Sequence, residues 1–155
     1  MKQILVKDGM VKMQKKIFSV REMGYKIIGE AVLINSDLLV SLTGGNVPHI
    51  GGIVSWDGKR KKQEEIKFAS HDGRMHKDIL LAERFAEKIE NDLPGNLCVT
   101  AGIHIDGISE EQINASFSMT DKIASDVLAW VNSFQAAFLQ AQYTTHIRNF
   151  KLYHN

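Results

Sequence analysis

The sequence predicts a single α+β domain: a mainly antiparallel sheet of four to five strands with two to three helices packed on it. Three observations carry this. Residues 25–69 alternate apolar and polar positions between Gly, Asn and Asp turn signals, the period of strands. From residue 76 the apolar spacing changes to that of a helix, returns to a strand over residues 97–105, and becomes helical again behind a capping-box sequence. The chain has 155 residues, enough for one core without a staple, and its single cysteine allows no intrachain disulfide.

Residues 1–22 mix Met, Lys and Gln without a clear period and read as a leader strand or arm. The domain proper is expected over residues 23–142, and 143–155 as a tail. Residues 26–34 and 38–42 form a hairpin about Asn35-Ser36-Asp37, and residues 53–56 and 65–69 a second one about Asp57-Gly58, so four strands suggest an antiparallel meander. Ile79, Ala82, Phe85, Ala86 and Ile89 lie on one helical face in residues 76–91, and Asp92-Leu93-Pro94-Gly95-Asn96 stops that helix. A β-helix-β passage then places residues 97–105 inside the sheet. Ser109 and Gln112 open a long apolar helix, with a break expected near Met119-Thr120-Asp121, where Thr120 caps a second segment. Trp130, Phe134, Phe138 and Leu139 make its end rich in large apolar side chains, so that it either closes over the sheet or meets a partner subunit; a homodimer is expected.

Lys and Arg total 19 against 18 Asp and Glu, a balance without the field that draws nucleic acid or an anionic membrane. The basic cluster Lys59-Arg60-Lys61-Lys62 reads as a solvated hairpin tip. No apolar run approaches a membrane span, and the amino terminus lacks a signal-peptide core, so a reducing cytoplasm is the expected location. Cys98, in an apolar strand, reads as an inert thiol. The chain lacks a Walker loop, G-x-G-x-x-G and G-x-S-x-G, which disfavours a kinase, dehydrogenase or conventional hydrolase.

The stretch richest in chemistry is residues 43–52, Thr43-Gly44-Gly45-Asn46-Val47-Pro48-His49-Ile50-Gly51-Gly52. Such a loop either punctuates two strands or displays N–H groups as a nest for a phosphate, with His49 adding a donor, an acceptor or a metal-ligating nitrogen. His104 and Asp106 share the face of their strand with Gly102, and Asp106 is placed to orient His104. His71 and His76 bracket Asp72-Gly73-Arg74, which reads most simply as a turn. His49, His76 and His104 would suit a divalent metal, although no metal-binding spacing joins them.

These segments resemble the prenylated-flavin chaperone family, whose LpdD-like domain is found with UbiD-type decarboxylases such as gallate decarboxylase. The resemblance rests on Leu42-Thr43-Gly44-Gly45 with Pro48-His49-Ile50-Gly51, on His76-Lys77-Asp78 leading into Leu81-Ala82-Glu83-Arg84, and on Ala101-Gly102-Ile103-His104-Ile105-Asp106, across residues 25–130. Gly52 departs from an expected alanine or other small residue, and Asn46 from a commonly acidic one. The resemblance implies a carrier that holds reduced prenylated flavin mononucleotide and delivers it to a UbiD-type decarboxylase. Cofactor contacts are then expected from Thr43, Gly44, Gly45, Asn46, His49, Gly51, Gly52, His104 and Asp106, with any metal on His49, His76 and His104. The alternatives are a small metal-dependent enzyme using Asp106 as general base, and a non-catalytic dimeric scaffold.

Overall fold

The computed structural model describes residues 13–70, 73 and 77–142. The chain runs β1 (Gln14–Glu22), β2 (Tyr25–Ile34), β3 (Asp37–Gly45), β4 (Gly52–Asp57), β5 (Lys62–Lys67), α1 (Ile79–Ile89), β6 (Leu97–His104) and α2 (Glu110–Asn132), with short 3-10 turns at Glu90–Asp92 and Gln135–Ala137. Six strands form one sheet in the order β1-β2-β3-β6-β4-β5, and both helices pack on one face of it. The α+β class holds, with more strands than the four to five expected.

The extra strand is β1. Its nine residues lie within the segment read as a leader and pair along their whole length with β2, from Gln14↔Leu33 to Glu22↔Tyr25. The expected meander is also interrupted. β6 enters between β3 and β4, parallel to β3 and antiparallel to β4, so the sheet is mixed. A β3-to-β6 connection through a helix is the standard way to bring two parallel strands side by side, and it leaves residues 46–51 to cross from β3 to β4 over the end of β6.

Burial alternates along β2, where Tyr25, Ile27, Gly29, Ala31 and Leu33 face the helices. Val40, Leu42, Val54, Val99 and Ala101 join them on that face. Phe85 and Ile89 of α1, with Met119, Ile123 and Val127 of α2, fill the space above. Gly29 lets α2 settle close to the sheet, because a Cβ there would lie 2.6 Å from Ile123 Cγ2. Arg84 ties the helices together by donating from Nε and Nη2 to the two carboxylate oxygens of Asp121, at 2.8 and 2.7 Å.

α2 opens on the expected capping box: Ser109 Oγ accepts from the Gln112 N–H at 3.1 Å, and Gln112 Oε1 accepts from the Ser109 N–H at 3.0 Å. The helix does not break at Met119-Thr120-Asp121. Met119 and Thr120 belong to the stripe running from Ala115 through Ile123 to Val131, and burial of that stripe outweighs the capping tendency of threonine. The carboxy-terminal aromatics are used largely inside the fold. Trp130 packs edge-on against Phe18 of β1 at 6.0 Å and against Phe134 at 5.6 Å.

Edge strand β5 meets α1 through a pair of carboxylates. The Glu83 carboxyl is pushed up to about 7, chiefly by hydrogen bonding to the Glu65 carboxylate, with burial and the Glu65 charge acting the same way. Glu65 is held low by that hydrogen bond and by the bond from Lys67, whose Nζ lies 2.8 Å away. Because the folded value of Glu83 exceeds that of the open chain, its contribution to stability is complete below about 4.5 and is lost as pH rises through about 7. Glu83→Gln keeps a donor for Glu65 without the proton. Urea midpoints measured from pH 5 to 8 are expected to fall with pH in the wild type and to stay flatter in this variant.

Candidate functional site

Three connections meet at one end of the sheet because β3 and β6 run parallel and finish in register, Gly45 opposite His104. The β1–β2 turn at Met23 and Gly24, both with positive φ, lies at the same end, as does the start of α2. Gln112 binds the turn to the helix: its backbone carbonyl accepts from Tyr25 Oη at 2.8 Å and its Nε2 donates to the Met23 carbonyl at 3.1 Å. Burial pushes the Tyr25 hydroxyl above its ordinary value, so it stays a neutral donor.

A cleft of about 360 Å³ opens between these connections, lined by Arg21, Lys26, Ile28, Thr43, Gly44, Gly45, Asn46, Pro48, Ile105 and others. It is positively charged by construction. Arg21 and Lys26 are direct cross-strand partners, hence on one face of the sheet, and no carboxylate is among the lining residues. Like charges directly opposite one another destabilise a strand pair. Their placement at the mouth of a cleft is what an anion-binding site requires. Four site residues expected from sequence, Thr43, Gly44, Gly45 and Asn46, line this cleft; Arg21, Lys26 and Gln112 are additions that sequence reasoning missed. The signal available for them was the Arg21/Lys26 pairing across the Met23-Gly24 turn.

The loop over residues 46–51 is seated on β6 by its own N–H groups. Asn46 donates to the His104 carbonyl at 2.6 Å, His49 to Gly102 at 3.4 Å and Gly51 to Ala101 at 2.8 Å. Asn46 Oδ1 also accepts from the Asp106 N–H at 2.9 Å, a clamp between the two connections that an acidic residue at position 46 would also make. Gly45, at φ +74°, leaves no room for a Cβ, which would run into the His104 carbonyl. With these N–H groups engaged on β6, the chemistry presented to the cleft is that of Thr43, Arg21 and Lys26 more than that of an open backbone nest.

Gly51, Gly52, His49, His104 and Asp106 stand outside the cleft lining. Gly52 begins β4, where a Cβ would lie 2.6 Å from Ile79 Cδ1. His49 Nδ1 lies 3.0 Å from the Val47 carbonyl and its Nε2 lies 3.0 Å from Asp78 Oδ2. These two contacts tie the loop to the start of α1. His104 Nε2 lies 3.0 Å from Asp106 Oδ1, with both side chains largely in solvent. The two pairs are separate, and among the described residues no three His, Cys, Asp or Glu side chains converge to hold a metal. His71 and His76 lie outside the described residues. Burial pushes the Cys98 thiol up, away from nucleophilic use. Among the described residues no helix is long and apolar enough to cross a membrane.

Comparisons with known proteins show the family of the chain. Residues 21–132 match the family model described as the prenylated flavin chaperone LpdD-like domain. Protein LpdD of Lactiplantibacillus plantarum is 38% identical over 116 residues, which cover 75% of this chain and 85% of that protein. A chain from the crystal structure of a chaperone complex for yeast 20S proteasome assembly superposes with a TM-score of 0.51 at 14% identity, over 77% of this chain and 97% of that one. That likeness concerns the fold. The matched region contains the cleft, the seated loop and both helices, and the chain belongs to the LpdD-like prenylated-flavin chaperone family.

Proposed function

We propose that this chain binds reduced prenylated flavin mononucleotide at the end of the sheet and hands it to a UbiD-type decarboxylase, acting as a homodimer in the cytoplasm. The observation that carries the reading is the Arg21/Lys26 pair facing a cleft bounded by Thr43 to Asn46. The cofactor's phosphate supplies the negative charge that relieves their repulsion, and its ring system meets the apolar Ile28 and Ile105. The cleft falls in the size range of small-molecule sites but is open on one side, as suits a carrier that must release its cargo. His49, Gly51, Gly52, His104 and Asp106 act in this reading by holding the loop in place.

The test is an anaerobic titration of the purified chain with reduced prenylated flavin mononucleotide, with and without divalent metal, followed by absorbance. The loaded protein is then mixed with an apo-decarboxylase. Saturable binding at one cofactor per chain, weakened by His49→Ala, and recovery of decarboxylase activity are expected. Absence of binding under every metal condition overturns the proposal; binding without transfer overturns the delivery half of it.

A further inference from the structure

The cleft is open on one side, so whatever it holds leaves through one mouth. Large apolar side chains stand in solvent beside that mouth: Met23 is 50% exposed, Val47 51%, Ile113 43% and Ile108 41%. Three of them adjoin lining residues. Met23 precedes Gly24, Val47 lies between Asn46 and Pro48, and Ile113 follows Gln112. The fourth is joined to Ile113 through the capping box. With Ser109 as the cap, Ile108 precedes it and Ile113 is the fourth helical residue, the two positions that a hydrophobic staple brings together. The 3.1 Å bond from Gln112 Nε2 to the Met23 carbonyl holds Met23 beside this pair. The 2.9 Å bond from the Asp106 N–H to Asn46 Oδ1 ties the loop of Val47 to the connection that carries Ile108. None of the four belongs to the core, and exposed apolar side chains grouped in this way mark an interaction site.

We infer that this apolar rim is the docking surface for the protein that takes the flavin, the UbiD-type decarboxylase of the reading above, on which the inference rests. The decarboxylase seats the mouth of its own pocket on Met23, Val47, Ile108 and Ile113, and the cofactor passes from one cleft to the other without entering bulk water. Apolar groups around a central polar contact exclude water from it, which is the arrangement of a specific interface. Charge adds to the fit. A pocket that receives a phosphate presents cations at its mouth, and Glu110, Glu111 and Asp106 stand exposed beside the rim to meet them.

Position and size favour this occupant over a second copy or the chain's own ends. A permanent partner over the mouth would shut the cargo in. Four half-exposed side chains supply on the order of 300 Å² of apolar area, the scale of a functional patch, and interfaces below about 1,200 Å² in total belong to transient encounters. Such an area suits a partner that leaves once it is loaded and falls short of a lasting dimer. The described residues begin and finish at the opposite end of the sheet. Gln14 pairs with Leu33 there, and Leu139 exchanges two bonds with Asn35 of the β2–β3 turn, at 2.8 and 3.0 Å.

Fluorescence anisotropy of the labelled full chain, without cofactor, titrated with an apo-decarboxylase tests the docking by itself. Saturable binding is expected. Met23→Asn/Val47→Gln/Ile108→Gln/Ile113→Gln is expected to weaken it at least about ten-fold, the loss of one or two apolar anchors. Asparagine tolerates the positive φ of position 23, and no charge changes beside the cleft. The paired variants Met23→Asn/Val47→Gln and Ile108→Gln/Ile113→Gln each show part of the loss, with circular dichroism like that of the wild type. Ile34→Gln, at the other end of β2, is the control and docks as the wild type does. With the loaded chain, stopped-flow transfer is expected to speed up with decarboxylase concentration and to exceed the rate of cofactor dissociation into buffer about ten-fold, as direct hand-over requires. The quadruple variant keeps its cofactor affinity within about two-fold and transfers about ten-fold more slowly at a subsaturating decarboxylase concentration. A decarboxylase that stays unbound, whether the rim is bare or covered by a second copy or the chain's own residues, overturns the inference. So does docking that the quadruple variant leaves intact or that Ile34→Gln weakens equally, wild-type transfer capped at the dissociation rate, or a quadruple variant that loses the cofactor. The anisotropy titration needs no flavin. A chain that docks but binds no cofactor overturns the reading above, and a chain that binds the cofactor but does not dock overturns this inference alone.

Discussion

Gly102→Ala is expected to lower the stability of the protein by about 3 kcal/mol and to release the loop that walls the cleft. Gly102 lies in β6 opposite Thr43, and the residue 46–51 connection crosses directly above it. A Cβ at this position would overlap the carbonyl of His49 and come within 3.0 Å of the Ile50 nitrogen. Both are backbone atoms, so no rotamer change can make room. Two responses are open. Either β6 and the loop separate by over an ångström, which costs the about 1–3 kcal/mol or more of an overpacked site, or the loop lifts away. Lifting forfeits the bonds from His49 to Gly102 and from Gly51 to Ala101 and strains those from Asn46 to His104 and from Asp106 to Asn46. At about 1 kcal/mol net for each, the second route costs a similar amount, which is why the estimate does not depend on the choice. Urea unfolding gives the stability, and the His49 ring resonances, shifted by loss of the Asp78 contact, report the loop. Thr100→Ala, two residues earlier on the same face, is the control and is expected to cost under about 1 kcal/mol. A Gly102→Ala protein with wild-type midpoint and unshifted His49 would mean that the loop is not seated on β6.

The position of that loop was only partly legible in the sequence. Glycine density marked residues 43–52 as a place of close approach, but composition does not say what approaches. The approaching group is the chain's own β6, and its N–H groups meet carbonyls of β6 where a nest for an anion was expected. Strand existence was legible from alternation wherever one face was wet. β1 was read only as a leader strand or arm, and its place in the sheet was not legible, because Ile17, Phe18 and Val20 put apolar side chains on both faces of the strand, which erases the period. Pairing order was legible only in part: the β-helix-β passage put β6 inside the sheet, as it is, but β4 alternates equally well whether its neighbour is β3 or β6. The α2 break was expected from Thr120, whose capping preference is a local term; the structure buries Thr120 completely and its hydroxyl has no partner among the described residues, a polar cost accepted to keep the apolar stripe continuous. Of the site, the glycine half was legible because its residues are adjacent. The cationic half depends on Arg21 and Lys26 meeting across a turn, a fact of register.

That cationic half carries the largest expected effect on ligand binding. Arg21→Ala/Lys26→Ala is expected to weaken prenylated flavin mononucleotide at least 100-fold. Each hydrogen bond between a charged donor and phosphate contributes about 1.5–3 kcal/mol, and two of them at the low end give about 3 kcal/mol, a little over two orders of magnitude. A structural role for these side chains predicts a simultaneous loss of stability. Ligand binding predicts the reverse: without cofactor, removal of two like charges held opposite one another on β1 and β2 leaves the variant as stable as the wild type or slightly more so. The phosphate can be isolated from the ring system by repeating the titration with the dephosphorylated prenylated flavin. If Arg21 and Lys26 act through the phosphate, wild type and variant bind that compound alike, and the 100-fold difference appears only with the mononucleotide. It should also shrink as salt is raised, since both groups lie at an open cleft where screening is effective. A variant that binds the mononucleotide as tightly as the wild type would remove the phosphate from this end of the sheet. The repulsion between Arg21 and Lys26 would then need a different anion to explain it.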